Sequence, residues 1–276
     1  MAFKTGGKDM RIPRVAIRLL GRPSVLIDET EILAGLPAKD RELFCYLVLF
    51  RARQHRRESL ATLLWSEHPP EQSRKYLRQS LWRLHEVLSH NGALDPRKVL
   101  AAGQEWVQLA IPGAVWLDLD ELEDAASGAL PPPAAKSSDR DLARSSSAAE
   151  LYRGDLLEGC ASEWCLPERE RYKQLYLRLT DTLIARYELR GEFDRGIAWA
   201  TASLEVEAAR ESTYRALMRL LFLKGDRTSA LRAYDRCATV IHGEFGVVPE
   251  AETEALVAEI RAGRGSLSFS KRRFRR

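Results

Sequence analysis

Apolar positions along this chain follow two rhythms, and the change of rhythm divides it. Near the start, Val15 to Gly21 (VAIRLLG) and Ser24 to Asp28 (SVLID) are short β-type runs joined by Arg22-Pro23, a turn signal. Glu31-Ile32-Leu33 adds a third short strand, giving a small antiparallel sheet. The period then lengthens to that of a helix. Ala38 to Arg53 carries Leu43, Phe44, Leu47 and Phe50 on one stripe, broadened by Tyr46, Val48 and Leu49, as a central core helix would. His55-Arg56-Arg57 breaks the apolar pattern, and Glu58 to Trp65 (ESLATLLW) resumes it as a short second helix. After Pro69-Pro70 comes a third, Gln72 to Leu88, in which Leu77, Leu81, Leu84 and Leu88 share one face. Glu71 suits its first turn, and Asn91-Gly92 ends it with turn chemistry. Val99 to Ala101, Gly103-Gln104-Glu105 and Trp106 to Ile111 read as strand, turn, strand. Trp116 to Leu122 closes the domain and begins a connecting helix.

Residues 126–148 read as a linker, with Pro131-Pro132-Pro133, Ser137-Ser138 and Ser145-Ser146-Ser147. Beyond it, residues 149–262 are almost wholly helical and contain a repeat. Leu189-Arg-Gly-Glu-Phe-Asp-Arg-Gly-Ile-Ala matches Leu223-Lys-Gly-Asp-Arg-Thr-Ser-Ala-Leu-Arg, which sets Gly191 and Gly225 at the tetratricopeptide spacing. Each unit is a helix, a G-[ED] turn and a second helix, with capping helices expected over roughly 163–178 and 250–261. Such a stack buries apolar stripes between helices and presents a concave face, which serves binding rather than catalysis.

Charge sharpens the reading only locally. The chain is +4 overall, but residues 1–124 are +1, 125–260 are −4 and 261–276 are +7, so the excess sits in a terminal basic tail, residues 263–276. That tail either touches phosphates or is simply solvated. Residues 51–100 hold 10 basic against 5 acidic groups, gathered around the third helix. Cysteines 45, 160, 165 and 237 form no metal spacing, and reduced thiols are expected. Neither a membrane span nor a signal-peptide core is present, which points to the cytoplasm.

The third helix is where chemistry is concentrated. Leucines hold one face, while Lys75, Gln79, Trp82 and Glu86 lie opposite, with Arg78 and Arg83 on the flanks. It is either an ordinary amphipathic surface helix or a recognition helix for the DNA major groove. The neighbours favour the second: two helices followed by a hairpin, the second helix basic and outward-polar, is the winged helix-turn-helix order. Base reading needs side chains that fork, Arg or Lys to guanine and Gln to adenine, which selects Lys75, Arg78 and Gln79. Arg56 and Arg57 before the second helix, and Ser73 and Arg74 opening the third, are placed for phosphate. Arg83, further along, is expected at the DNA backbone. Gly103-Gln104-Glu105 leaves the wing without a cation for the minor groove.

The two halves together resemble a known family. Leu77-Arg78, Leu81, Arg83-Leu84 and Leu88 look like an OmpR-like winged helix. Leu151-Tyr152-Arg153-Gly154 with Leu156-Leu157, Glu168-Arg169 with Leu175, Gly225-Asp226 to Ala230-Leu231 with Tyr234, and Glu244-Phe245-Gly246-Val247 with Pro249 look like the bacterial transcriptional activation domain. That combination is the architecture of the small antibiotic-regulatory (SARP-type) activators, and the resemblance covers about residues 14–262. It implies an N-terminal α+β winged helix over 14–125 and an all-α, tetratricopeptide-like domain. It also implies a sequence-specific activator that binds direct repeats in promoter DNA as a side-by-side homodimer and recruits RNA polymerase. Trp82 stands where relatives usually carry a small polar residue, and His85 where Arg is common. Trp82 is expected to pack against the core edge, with a thymine methyl and sugar as its other possible contact.

Other function classes have little support. The five histidines are scattered, and H-E-x-x-H, G-x-S-x-G and a phosphate-binding G-x-x-x-x-G-K-[ST] loop are all missing. No pattern points to an enzyme or a cofactor. The rival reading is a repeat-domain adaptor that binds protein or an unidentified ligand, its winged helix used for protein contact.

Overall fold

In the computed structural model the described residues are 15–27, 29–89, 99–110, 115–128 and 138–263. The turn read at Asn91-Gly92, the prolines of the linker and the basic tail lie outside them. The chain divides into two compact units, Met1–Glu121 with Arg153–Arg169 and Leu122–Tyr152 with Glu170–Arg276. No described helix is long and apolar enough to cross a membrane.

The first unit opens with β1 (Val15–Arg18), β2 (Ser24–Ile27) and β3 (Thr30–Glu31), the predicted antiparallel sheet, with β3 at Thr30–Glu31 where the sequence predicts Glu31–Leu33. A fourth strand, β7 (Val115–Leu117), joins it in parallel with β1, giving the order β3-β2-β1-β7. A parallel partner so distant in sequence leaves no local signature, so the sequence reading places only a helix start there. Asp118 follows at once and begins α4 (Asp118–Gly128). Its buried carboxylate accepts the main-chain N–H groups of Leu19 and Leu20 at 2.8–3.0 Å, closing the end of β1.

Between the first strands and β7 lie α1 (Ala38–Leu49), α2 (Arg57–Leu64) and α3 (Pro70–Ser89). Helix α1 ends four residues short of the predicted Arg53. Leu43, Phe44, Tyr46, Leu47 and Val48 are all buried, so α1 is the central helix its broad apolar stripe suggests. Pro70 is the first residue of α3, where its missing N–H costs nothing. The second sheet holds β4 (His55–Arg56), β5 (Leu100–Ala102) and β6 (Trp106–Leu109) in the order β4-β6-β5. β5 and β6 are the predicted hairpin. β4 is a two-residue strand where the sequence shows only interrupted hydrophobicity. Its His55 is a core histidine: the ring is buried, Nε2 lies 3.1 Å from the Phe50 carbonyl, and burial lowers its pKa, so it is neutral at pH 7.

Segment Arg153–Arg169 belongs to this unit. Leu157 N–H donates to Leu19 O, and Glu158 N–H to Gly21 O, both at 2.9 Å. Gly21 has φ +89°, a conformation that side chains rarely adopt, and a Cβ on Gly154 would stand at ordinary contact distance, 3.5 Å, from the Gly21 Cα. The Arg169 guanidinium donates to the carbonyls of Leu156, Leu157 and Cys160 at 3.0–3.2 Å and fixes the loop.

The second unit is helical: α5 (Asp139–Ala149), α6 (Leu166–Arg190), α7 (Phe193–Val206), α8 (Glu211–Leu223), α9 (Arg227–Phe245) and α10 (Ala251–Arg261). α5 lies where the sequence reading puts a linker. Ser138 starts it with a capping box: its hydroxyl accepts from Asp141 N–H at 3.1 Å, and the Asp141 carboxylate accepts Ser138 N–H at 3.2 Å. Leu142, Ser145, Ala148 and Ala149 are its buried face, and Ser146 bonds the Tyr187 hydroxyl at 3.0 Å. Small residues that look like linker composition are what let this helix pack closely. Gly191 (φ +70°) and Gly225 (φ +94°) turn α6 into α7 and α8 into α9, as the repeat predicts. Gly196 of α7 faces Leu220 so closely that a Cβ would stand 3.0 Å from it. Ala200, Leu217, Met218, Leu220, Ala230, Ala233 and Ile260 form the core of this unit. All four cysteines are free, and burial pushes Cys45 up to about 12 and Cys165 and Cys237 up to about 11, which makes them poor nucleophiles.

Candidate nucleic-acid interface

Helix α3 is anchored from beneath and bare on top. Leu77, Leu81, Leu84 and Leu88 are each at most 3% exposed, so the predicted stripe is the buried one. Between them, Ser80 donates its hydroxyl to Asp40 Oδ1 at 2.5 Å, and Asp40 is wholly buried at the start of α1. On the other side Lys75, Arg78, Gln79, Trp82 and Glu86 are all exposed. The side chains of Lys75, Arg78 and Gln79 make no hydrogen bond or ion pair with another described residue. They are three residues with long, polar, forked or cationic ends, spaced at i, i+3 and i+4 on a rigid helix.

The start of α2 adds two cations at the foot of the hairpin. Arg57 donates its main-chain N–H to Glu105 O and its Nη1 to Gly103 O, both at 2.9 Å, which binds it to the hairpin turn. Arg56 pairs with Trp106 across β4 and β6, and its guanidinium stacks 5.2 Å from the centre of the Trp106 ring. The hairpin turn carries no cation of its own, and these two arginines supply the charge beside it. Burial, and then the nearby positive charge of Arg78, draw Arg57 below its ordinary pKa; it remains protonated. The positive charge of Arg78 thus acts on Arg57, and an anion near both would ease that repulsion.

The remaining predicted residues divide. Arg74 is exposed and lies 3.6 Å from the still more exposed Glu58, a weak pair that phosphate could displace. Ser73 is a correction. It is 2% exposed, and its hydroxyl faces the carbonyls of Trp65, His68 and Pro69 at 2.9–3.2 Å, tying the α2–α3 loop to the first turn of α3. Arg83 is a second correction: its Nε and Nη2 both engage the Asp40 carboxylate, Nη2 at 2.9 Å, so it clamps α3 to α1. Trp82 is a third. It does not pack against the core edge but stands 63% exposed. Sequence reasoning also missed the Arg56–Trp106 stack and the Arg57–Arg78 juxtaposition. The only signal for either was the aromatic at the start of β6 and the run of arginines before α2.

A family model described as bacterial transcriptional activator domain matches residues 117–261, more than half of the chain. The chain belongs to the bacterial transcriptional activator domain family. With the small α/β unit before it, the chain has the two-part organisation of the SARP family. It is 27% identical over 250 residues to the transcriptional regulatory protein EmbR of Mycobacterium tuberculosis, covering 88% of this chain and 62% of EmbR. It is 28% identical over 235 residues to the regulatory protein AfsR of Streptomyces coelicolor, covering 83% of this chain and 22% of AfsR. The chain thus spans less than two thirds of the length of either relative. The solved structure of M. tuberculosis EmbR in complex with a low-affinity phosphopeptide superposes with a TM-score of 0.75 at 26% identity, over 90% of this chain and 65% of that one. Of the activator-domain motifs, Tyr152 stacks on Tyr176 with ring centres 4.3 Å apart, and Gly246 ends α9 in the left-handed conformation.

Proposed function

We propose that this protein is a sequence-specific transcriptional activator that lays α3 in the DNA major groove, binds direct repeats in a promoter as a side-by-side homodimer, and recruits RNA polymerase. The observation that carries this reading is the outward face of α3. Lys75, Arg78 and Gln79 are exposed without partners among the described residues, beside the crowded Arg57 and the stacked Arg56. Membership of an activator family supports the choice of DNA over protein as the ligand of that face. In the proposed complex Lys75, Arg78 and Gln79 read base edges, while Arg56, Arg57 and Arg74 hold phosphates and set the register. The helical unit, read as a tetratricopeptide-like stack, carries the contact with polymerase.

Two substitutions separate these roles. Arg78→Ala weakens binding to the specific site by about 1–3 kcal/mol and relaxes the base preference at one position. Equal losses on specific and random duplex in a competition titration would make Arg78 a phosphate contact only. Arg57→Ala weakens both kinds of duplex and lowers the slope of log affinity against log salt by about one. An unchanged slope would remove Arg57 from the interface. The whole reading is tested by footprinting the purified protein on the region upstream of its own gene, followed by transcription from that fragment with purified bacterial RNA polymerase. Protection of two repeats on one face of the duplex, with more transcript, is expected. A fragment left unprotected, or protected with no gain in transcript, would contradict the proposal.

A further inference from the structure

Trp82 is the odd tryptophan of the molecule. Trp65 faces Tyr76, Trp106 carries Arg56, Trp116 carries Arg18, Trp164 sits edge-on to Tyr46, and Trp199 packs into the helical core. Trp82 has no ring or cation partner of this kind among the described residues and is 63% exposed. Among the described residues, the buried leucines and Ser80 on the opposite side are what fix α3. An indole held out into water from the centre of a basic helix face contributes little to folding, so its use lies in what that face meets.

We propose that Trp82 selects thymine, through apolar contact of its indole with the thymine C5-methyl group. The inference rests on the reading of α3 as a major-groove helix. Trp82 is four residues beyond Arg78 and three beyond Gln79, on the same face. The rise of an α-helix carries it about 6 Å along the axis from Arg78. With base pairs about 3.4 Å apart, it meets an edge one or two pairs from the one Arg78 reads. In the major groove the thymine methyl is the one apolar feature a base pair displays, and thymine O4 beside it can accept the indole N–H. An aromatic ring with two side-chain torsions loses little freedom on contact, so it discriminates on shape where the flexible Lys75 cannot.

The test does not require the operator to be identified first. Sites are selected from a randomised duplex library with the full chain and with Trp82→Ala, and each thymine of the selected site is then replaced by deoxyuridine, which lacks only the methyl group. The unchanged protein is expected to demand thymine at one position and to lose about fourfold in affinity when that methyl is removed, the value of one buried carbon. Trp82→Ala is expected to select the same site with that position degenerate, to ignore the uracil there, and to keep its affinity for random duplex within about twofold. Identical sites and identical uracil sensitivity for both proteins would overturn the proposal. So would an equal loss by Trp82→Ala on random duplex, which would make Trp82 a general contact. Normal binding to one site but lost cooperativity on a tandem pair would instead assign Trp82 to a neighbouring copy of the chain. Failure of the unchanged protein to enrich any site would sink the major-groove reading itself, an outcome distinct from the other three.

Discussion

Arg83→Met is expected to destabilise the first unit, which holds α1 and α3, by about 3 kcal/mol. Asp40 is wholly buried and its carboxylate is held by Ser80 and by two nitrogens of Arg83, a residue 43 positions away in sequence. Methionine keeps much of the packing of the Arg83 stem but leaves the carboxylate with one hydroxyl in place of a bidentate cation. An uncompensated buried charge costs far more than an exposed ion pair, which is worth at most about 1 kcal/mol. Urea titration reads the effect as a lower midpoint at unchanged slope. Replacing both partners, Asp40→Leu with Arg83→Met, is expected to recover most of the loss, because it removes the buried charge as well as its partner. At temperatures where Arg83→Met stays folded, its affinity for DNA should match that of the unchanged protein within about twofold. A stability loss under about 1 kcal/mol, or a lower salt slope, would return Arg83 to the list of DNA contacts.

Asp118 carries the second large effect. Asp118→Ala leaves the buried N–H groups of Leu19 and Leu20, just past β1, unpaired, at a cost of about 3 kcal/mol. The native carboxyl also titrates unusually. Burial pushes it up to about 6 from 3.8, against the opposing pull of the Leu20 and Leu19 N–H groups. Between about pH 4 and 6 the folded chain therefore keeps a proton that the unfolded chain has released. Stability is fully present below the unfolded value and falls as pH rises through this window, by about 3 kcal/mol in all. Asp118→Asn lacks the group, so the stability of the unchanged protein relative to this variant should fall from pH 4 to pH 6 and then level off. Urea midpoints across that range measure it. Parallel curves for the two proteins would place the Asp118 titration outside the window.

These two carboxylates also show where sequence reading stops. The leucine stripe of α3, the broad stripe of α1, the hairpin and the paired Gly191 and Gly225 were legible because each is a periodic or turn signal contained within a few residues. Asp40–Arg83 and Asp118–Leu19 were not, because each joins positions far apart in the chain, and a lone Asp reads as solvent-facing. The parallel pairing of β1 with β7 failed to show for the same reason. Ser73 illustrates a subtler failure: the residue types that favour phosphate contact at a helix start also satisfy loop carbonyls there, and only burial tells them apart. The serines of α5 read as linker composition, although the helical spacing of Leu142, Ser145 and Ala148 puts them on one buried face. At the candidate interface, Lys75, Arg78 and Gln79 were legible as the exposed complement of the leucines. The arginines at the foot of the hairpin were legible as charges, but not as one stacked on Trp106 and the other bonded to the hairpin turn.

The central claim, that the exposed face of α3 reads DNA sequence, is tested most directly by one titration. The purified chain is measured against a labelled duplex from the region upstream of its own gene and against a shuffled duplex of the same composition, at two salt concentrations. The account predicts a preference for the genuine fragment that persists at the higher salt, because base contacts survive when counterion release no longer drives binding. Equal binding to both duplexes that vanishes with salt, or no binding to either, would contradict it.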